Sequence, residues 1–313
     1  MTRPTLLVTG ASGFIGRALL EKIPTELDDS YRIVLLSSRE NPEWATVPDG
    51  RGADHLYTFT AADFVKRGFP TVDFVIHLGS FTPKSASEAD DVPRSLSNIS
   101  NTRHLLLNLP NAPRRIVFAS SIDVYGRADG PITEERSCEP STLYGLSKLF
   151  CERMLTAMLK QPRYDETTLQ IVRIGHTFGP GEQEYRKFIP ETIRRLLAGS
   201  GPHFFTDGSE KRSFIHVSDC CRLILAALKS PADVGPINIA SSTATELETV
   251  ARHLCRIHRE CRGETVQPTF EPEPRKGADA VIDTSKMEKH LGRPAISIEV
   301  GLRDEYSRMA SLS

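Results

Sequence analysis

Thr5-Leu6-Leu7-Val8-Thr9-Gly10-Ala11-Ser12-Gly13-Phe14-Ile15-Gly16 sets a short apolar run directly before three glycines spaced three apart. The run reads as a buried strand, and residues 16–22 beyond it read as the start of an amphipathic helix. Gly10, Gly13 and Gly16 let the turn bring backbone N–H groups and a helix N-terminus against a pyrophosphate, an approach side chains would block. Ser12 lies within that turn, while Phe14 and Ile15 are available to pack the helix onto a sheet. With a strand before it and a helix after it, the segment is expected to bind a dinucleotide.

The same alternation continues outward. Residues 32–36, 72–78, 115–119 and 169–174 read as further strands, with an amphipathic stretch at 96–109 among the segments between them. Strands alternating with helices imply right-handed βαβ units and a doubly wound parallel α/β sheet. Beyond residue 174 the texture changes to turn clusters at 179–181, 199–202 and 207–208. The expected division is a cofactor domain over 1–174 and a smaller, mixed α/β, mainly substrate-binding region over 175–313. A cleft is expected between them, and the chain is free to cross back to the first domain. Residues 262–278, dense in Pro, Glu and Gly, are read as a surface loop.

The 313 residues balance 39 Lys and Arg against 40 Asp and Glu, a formal charge of −1. No basic excess or stripe marks a nucleic-acid binder. No apolar run approaches the roughly 20 residues a membrane helix needs. Cys138, Cys151, Cys220, Cys221, Cys255 and Cys261 form no CxxC pair, and His203, His253, His258 and His290 show no ligand spacing. No metal site is expected, and the thiols are read as reduced, mostly buried groups in a cytoplasmic protein. Met1 leads within four residues into a strand, so no signal peptide is expected.

Selectivity between NAD and NADP is read roughly 20 residues past the glycine loop, at the end of the second strand. There the chain has Ser37-Ser38-Arg39-Glu40. The hydroxyl of Ser38 and the guanidinium of Arg39 suit a 2′-phosphate. NADP(H) is therefore favoured, with NAD(H) open because a one-residue register shift would bring Glu40 nearby.

Tyr144-Gly145-Leu146-Ser147-Lys148 opens a helix with Tyr144 and Lys148 on one face, one turn apart. A phenol has a reference pKa near 10. An ammonium about 5 Å away at effective dielectric ~20 would favour phenolate by roughly 3 kcal/mol, or about two pKa units. That would tune Tyr144 for acid/base work. Upstream, residues 118–126 leave a parallel strand at the end where such folds place their sites, and Ser121 is taken over Ser120 as the hydroxyl beside Tyr144.

Taken together, the glycine loop, Val75-Ile76-His77-Leu78-Gly79, Asn98 opening a helix, residues 120–126, YxxxK, residues 172–181 and residues 207–219 carry a resemblance. The chain resembles an extended short-chain dehydrogenase/reductase with a Rossmann sheet, of the NAD(P)-dependent epimerase/dehydratase family acting on nucleotide sugars. The resemblance implies that Ser121 polarises the sugar carbonyl, that Tyr144 is the acid/base, and that Lys148 holds the cofactor ribose. Leu78 and Gly79 would line the cofactor, and Arg212 would clamp the diphosphate. A homodimer through the YxxxK helix and the helix before it is also implied.

Departures from the family pattern narrow the reaction. Ile122 and Asp123 stand where sugar dehydratases carry an Asp-Glu pair, which argues against dehydration. Decarboxylating relatives have Glu where Asp123 stands. His176 replaces an Asn that contacts substrate phosphates in 4-epimerases. Ser121, Asp123, His176 and Arg212 are expected to face the substrate. The leading expectation is NADPH-dependent reduction of a 4-keto-6-deoxy sugar nucleotide. A 4-epimerase with tightly bound NAD is the alternative, and a non-catalytic NADP-sensing regulator is a third.

Overall fold

The computed structural model describes residues 3–27, 31–37, 56–60, 70–127, 130–230 and 233–312. Strand β1 (Thr5–Thr9) is followed by α1 (Phe14–Glu26), β2 (Arg32–Ser37), β3 (Leu56–Thr60) and β4 (Phe74–His77). Next come α2 (Val92–Asn108), β5 (Arg115–Ser121), α3 (Leu143–Met158) and β6 (Thr168–Ile174). The second half holds β7 (His176–Phe178), α4 (Phe188–Leu197), β8 (His203–Thr206), β9 (Lys211–Arg212), β10 (Phe214–His216), α5 (Val217–Lys229) and β11 (Ile237–Ile239). The chain ends with β12 (Thr245–Glu246), α6 (Leu247–Arg262), β13 (Thr269–Arg275), α7 (Ser285–His290) and α8 (Ile298–Ala310).

Seven strands form one sheet in the order β3-β2-β1-β4-β5-β6-β11, and every pairing is parallel. This is the doubly wound α/β sheet expected of the sequence. All five residues of β1 and all seven of β5 are buried, as strands covered on both faces require. Their side chains divide with period two. Leu6, Val8 and Val117 join α1 and α5 on one face, while Leu7, Ile116 and Phe118 join α2 and α3 on the other. Strand order reverses between β1 and β4, so a crevice opens beyond their C-terminal ends.

After β10 the chain returns to this sheet: α5 packs on α1, and β11 adds beside β6. Helices α4, α6 and α8 form a separate apolar cluster that includes Ile193, Leu254 and Tyr306, while Met287 of α7 joins the cluster of α1 and α5 on the sheet.

Three elements differ from the sequence reading. Helix α2 begins at Val92, not near residue 96, because Asp91 caps it by accepting the Arg94 N–H at 2.9 Å and Pro93 suits its first turn. Asn98 consequently lies inside the helix. Strand β5 runs on to Ser121, which puts both serines at the strand end. Residues 269–275, read as loop, form β13 alongside β8. Phe270 stacks on Phe204 with ring centroids 5.0 Å apart, and the strand lies on an exposed edge where Pro272 and Pro274 cost no ladder bonds.

Candidate active site

The glycine loop leaves β1 at the crevice. Gly10 has φ +72°, and a Cβ there would lie 2.6 Å from the Gly79 nitrogen. A Cβ on Gly16 would lie 2.1 Å from the Gly10 carbonyl oxygen, so α1 approaches the loop as closely as a helix can. Gly13 caps α1 without a side-chain bond, and no acidic residue stands in its first turn. The helix N-terminus with its free N–H groups therefore suits a diphosphate. Ser12, Phe14, Ile15, Leu78 and Gly79 line the same opening.

Thr9 ties the two central strands together below the loop. Its Oγ1 meets His77 Nδ1 at 2.6 Å and accepts the Gly79 N–H at 2.9 Å. Burial, helped by the nearby Lys148 charge, lowers the His77 pKa to about 3, so the ring is neutral. A Gly16→Ala protein is expected to bind nicotinamide dinucleotides at least roughly tenfold more weakly, since about 1–3 kcal/mol of overpacking falls on this turn. Fluorescence titration with NADH and NADPH checks this, and wild-type affinity would remove Gly16 from the cradle.

Helix α3 is anchored so that its first turns face the crevice. Thr142 caps it by accepting the Gly145 N–H at 3.1 Å, and the Tyr144 N–H donates to the Ala89 carbonyl at 2.9 Å. Ser121, Tyr144 and Lys148 all line one cleft of about 970 Å³. Ser120 is committed elsewhere: its hydroxyl donates to Glu152 Oε1 at 2.5 Å. Lys148 Nζ donates to the Ala119 carbonyl at 2.8 Å and lies 5.9 Å from the Tyr144 ring centroid.

The expected tuning of Tyr144 is reversed. Burial, reinforced by the Asp123 charge, pushes its pKa well above 10 against the lowering influence of the nearby Thr82 and Ser121 hydroxyls. The ammonium expected to lower it faces Ala119 and is itself desolvated, with its pKa down to about 8. The two-unit lowering read from spacing treated the site as half-solvated, and full burial outweighs it.

Asn98 acts as a tie. It accepts the Phe81 N–H at 2.6 Å and donates to Ser147 Oγ at 3.1 Å, joining the loop after β4 to α3. That loop brings Phe81 edge-on to Tyr144 with ring centroids 6.3 Å apart, and Thr82 lines the same cleft.

Across the cleft lie His176 and Arg212, together with Glu182, Tyr185 and Lys187, which the sequence reading missed. His176 Nδ1 is buried without a hydrogen-bond partner, and burial with the Arg212 and Lys187 charges lowers its pKa to about 3. A neutral imidazole with an unpaired nitrogen is suited to a substrate hydroxyl or phosphate. Arg212 is oriented by donating to the Ala278 carbonyl at 2.6 Å. Lys187 Nζ lies 2.8 Å from Glu182 Oε1 and 4.6 Å from the Tyr185 ring centroid. The position of these residues just beyond Gly179-Pro180-Gly181 was the available signal. Ser38 and Arg39 lie outside the described residues. Among the described residues no cluster could hold a metal ion, and no helix is long and apolar enough to cross a membrane.

A dinucleotide cradle at a strand-order reversal, with a Ser, a Tyr and a Lys converging beside it, defines a short-chain dehydrogenase/reductase-type enzyme. Residues 6–240 match the model of the NAD dependent epimerase/dehydratase family, and the chain belongs to that family. It is 27% identical over 321 residues to the uncharacterized UDP-glucose epimerase YtcB of Bacillus subtilis (strain 168), covering 98% of each chain. It is 23% identical to dTDP-4-dehydro-6-deoxyglucose reductase of Escherichia coli, covering 95% of each. Among solved structures, MoeE5 in complex with UDP-glucose and NAD superposes with a TM-score of 0.78 at 25% identity, over 99% of this chain and 100% of that one.

Proposed function

We propose that the protein is a nucleotide-sugar 4-epimerase that removes and returns hydride at C4 of an NDP-hexose. The observation that carries this reading is the single cleft in which Ser121, Tyr144 and Lys148 lie between the glycine cradle and the His176–Arg212 wall. The similarity to MoeE5, solved with UDP-glucose and NAD, supports it over nearly the whole chain. A nicotinamide dinucleotide bound along Gly10–Gly16 and Leu78–Gly79 supplies reversible hydride transfer. Lys148 orients its ribose, Tyr144 exchanges a proton with the sugar oxygen, and Ser121 bonds that oxygen as charge develops. His176 and Arg212 hold the nucleotide diphosphate.

One observation favours a second reading, reduction of a 4-keto-6-deoxy sugar nucleotide. The similarity to dTDP-4-dehydro-6-deoxyglucose reductase of Escherichia coli extends over 95% of the chain. Identifying the nucleotide released on denaturing the purified protein separates the two. Stoichiometric NAD supports the epimerase. An empty protein that prefers NADPH overturns it in favour of the reductase and gives Arg39 a 2′-phosphate to hold.

A homodimer through α2 and α3 belongs to the same proposal. Val92, Leu96 and Leu107 share one exposed face of α2, and Leu146 and Phe150 sit one turn apart, exposed, on α3. Phe150→Glu is expected to give a monomer in sedimentation velocity, where the wild type sediments as a dimer. A wild-type monomer would remove this interface.

A further inference from the structure

Between β7 and α4, residues 179–187 run from the substrate side of the cleft to the mouth of the glycine cradle. Contacts with both sides seat this strap. Arg194 of α4 donates from two nitrogens to the Gln183 and Tyr185 carbonyls, each at 2.8 Å. Opposite, the Tyr185 ring centroid lies 6.1 Å from that of Phe14, the first residue of α1. A Cβ on Gly181 would come within 3.3 Å of the same Phe14 ring. The Arg186 N–H donates to the Lys84 carbonyl at 2.7 Å, and beside it Lys84 Nζ is paired with Glu184 Oε2.

The two attachments differ in kind. Arg194 belongs to the strap's own side, on the helix that follows it. Phe14 and Lys84 belong to the other side, Phe14 directly after the glycine loop and Lys84 in the loop after β4, whose Phe81 is bonded to Asn98 of α2. The strap is itself folded, since the Tyr185 N–H donates to the Glu182 carbonyl at 2.8 Å and Lys187 Nζ lies over the Tyr185 ring. At its far end the Lys84 and Glu184 side chains are 48% and 58% exposed, so their pair is weak and open to screening by salt. The Lys84 ammonium holds the Glu184 carboxyl below its ordinary range, which keeps it ionised at neutral pH, and Arg17 of α1 is a further nearby cation. A turn bonded firmly to one bank and lightly to the other is built to swing open at the light end.

We infer that residues 182–187 are a coenzyme-retaining strap, latched by Lys84–Glu184 and by Tyr185 against Phe14, which must open before a bound nicotinamide dinucleotide can leave. Phe14, Lys84, Tyr185 and Arg186 all line the cleft, so the closed strap stands over the cradle. The inference rests on the dinucleotide reading above and deepens it. Removing hydride from a sugar and returning it to the same sugar requires the reduced coenzyme to stay in place between the two steps, and slow release serves that order.

The test is stopped-flow release of NADH, or of NADPH where that binds more tightly, from the full-length protein chased with the oxidised coenzyme. The proteins are wild type, Lys84→Glu, Glu184→Lys, the two exchanges combined, and Tyr185→Ala. Each single charge reversal is expected to raise the release rate about three- to fivefold, and the combined exchange to restore most of the wild-type rate. Tyr185→Ala is expected to release roughly tenfold faster. Salt at ~0.5 M should speed release from the wild type and leave Glu184→Lys unchanged. Release within twofold of wild type in both Glu184→Lys and Tyr185→Ala overturns the strap. A combined exchange as fast as the faster single variant overturns the latch, because the charges then act by something other than their pairing. A wild type that binds neither coenzyme overturns the dinucleotide reading and the strap together. Faster release in the variants of a wild type that converts no sugar supports the strap and counts against the epimerase reading alone.

Discussion

Tyr144→Phe is expected to lower turnover by about a hundredfold to ten-thousandfold, the usual worth of a positioned acid/base. The substitution removes one oxygen and leaves the ring, so the edge-on contact with Phe81 and the burial of α3 persist. The Ser121–Asp123 bond does not depend on the phenol. Binding of the dinucleotide is therefore expected within a fewfold of wild type. The measurement is steady-state conversion of UDP-glucose and UDP-glucuronic acid beside a titration of NADH fluorescence. Turnover within threefold of wild type would take Tyr144 out of the chemistry. Equal loss of binding and turnover would instead show that the hydroxyl organises the cleft.

Glu152→Ala is expected to cost about 3–5 kcal/mol of folding stability, because it leaves a buried guanidinium without its counter-charge. Arg173 on β6 meets Glu152 on α3 through two bonds, Nε to Oε1 at 3.0 Å and a second nitrogen to Oε2 at 2.7 Å. Their side chains are 4% and 3% exposed, so water cannot replace the lost partner. Burial alone would lower the Arg173 pKa, yet the bonds and charge of Glu152 raise it instead. The Tyr125 hydroxyl accepts from Arg173 at 2.8 Å and donates to Asn238 on β11 at 2.8 Å, and Ser120 donates to Glu152. The network thus ties β5, β6, β11 and α3 behind the catalytic residues. With total stability of about 5–15 kcal/mol, the loss should show as a large fall in urea midpoint. A fall under about 1 kcal/mol would mean that water or a rearranged side chain replaces Glu152. Replacing both partners by Met and Leu should recover much of the loss.

Much of the architecture was legible because its signals are local. Residues 5–9, 32–36 and 115–119 carry strand-like apolar runs, and all lie in the parallel sheet. Turn glycines announce a tight backbone, and the crowding of Gly10 and Gly16 shows why no side chain fits. Where local signals misled, a tertiary partner was responsible. The 269–275 segment becomes a strand because Phe204 offers a stacking face to Phe270. Asn98 matters through Phe81 and Ser147, 17 and 49 residues away along the chain.

Period and spacing by themselves determined the α/β class, the dinucleotide loop and the one-turn separation of Tyr144 from Lys148, since each depends on neighbours within a helical turn or a strand. Only the folded chain decided the charge states. Burial raises Tyr144, turns Lys148 toward Ala119 and pairs Lys187 with Glu182, and these outcomes depend on groups brought together from distant segments. Desolvation is a property of the surrounding packing. No spacing along the sequence records it.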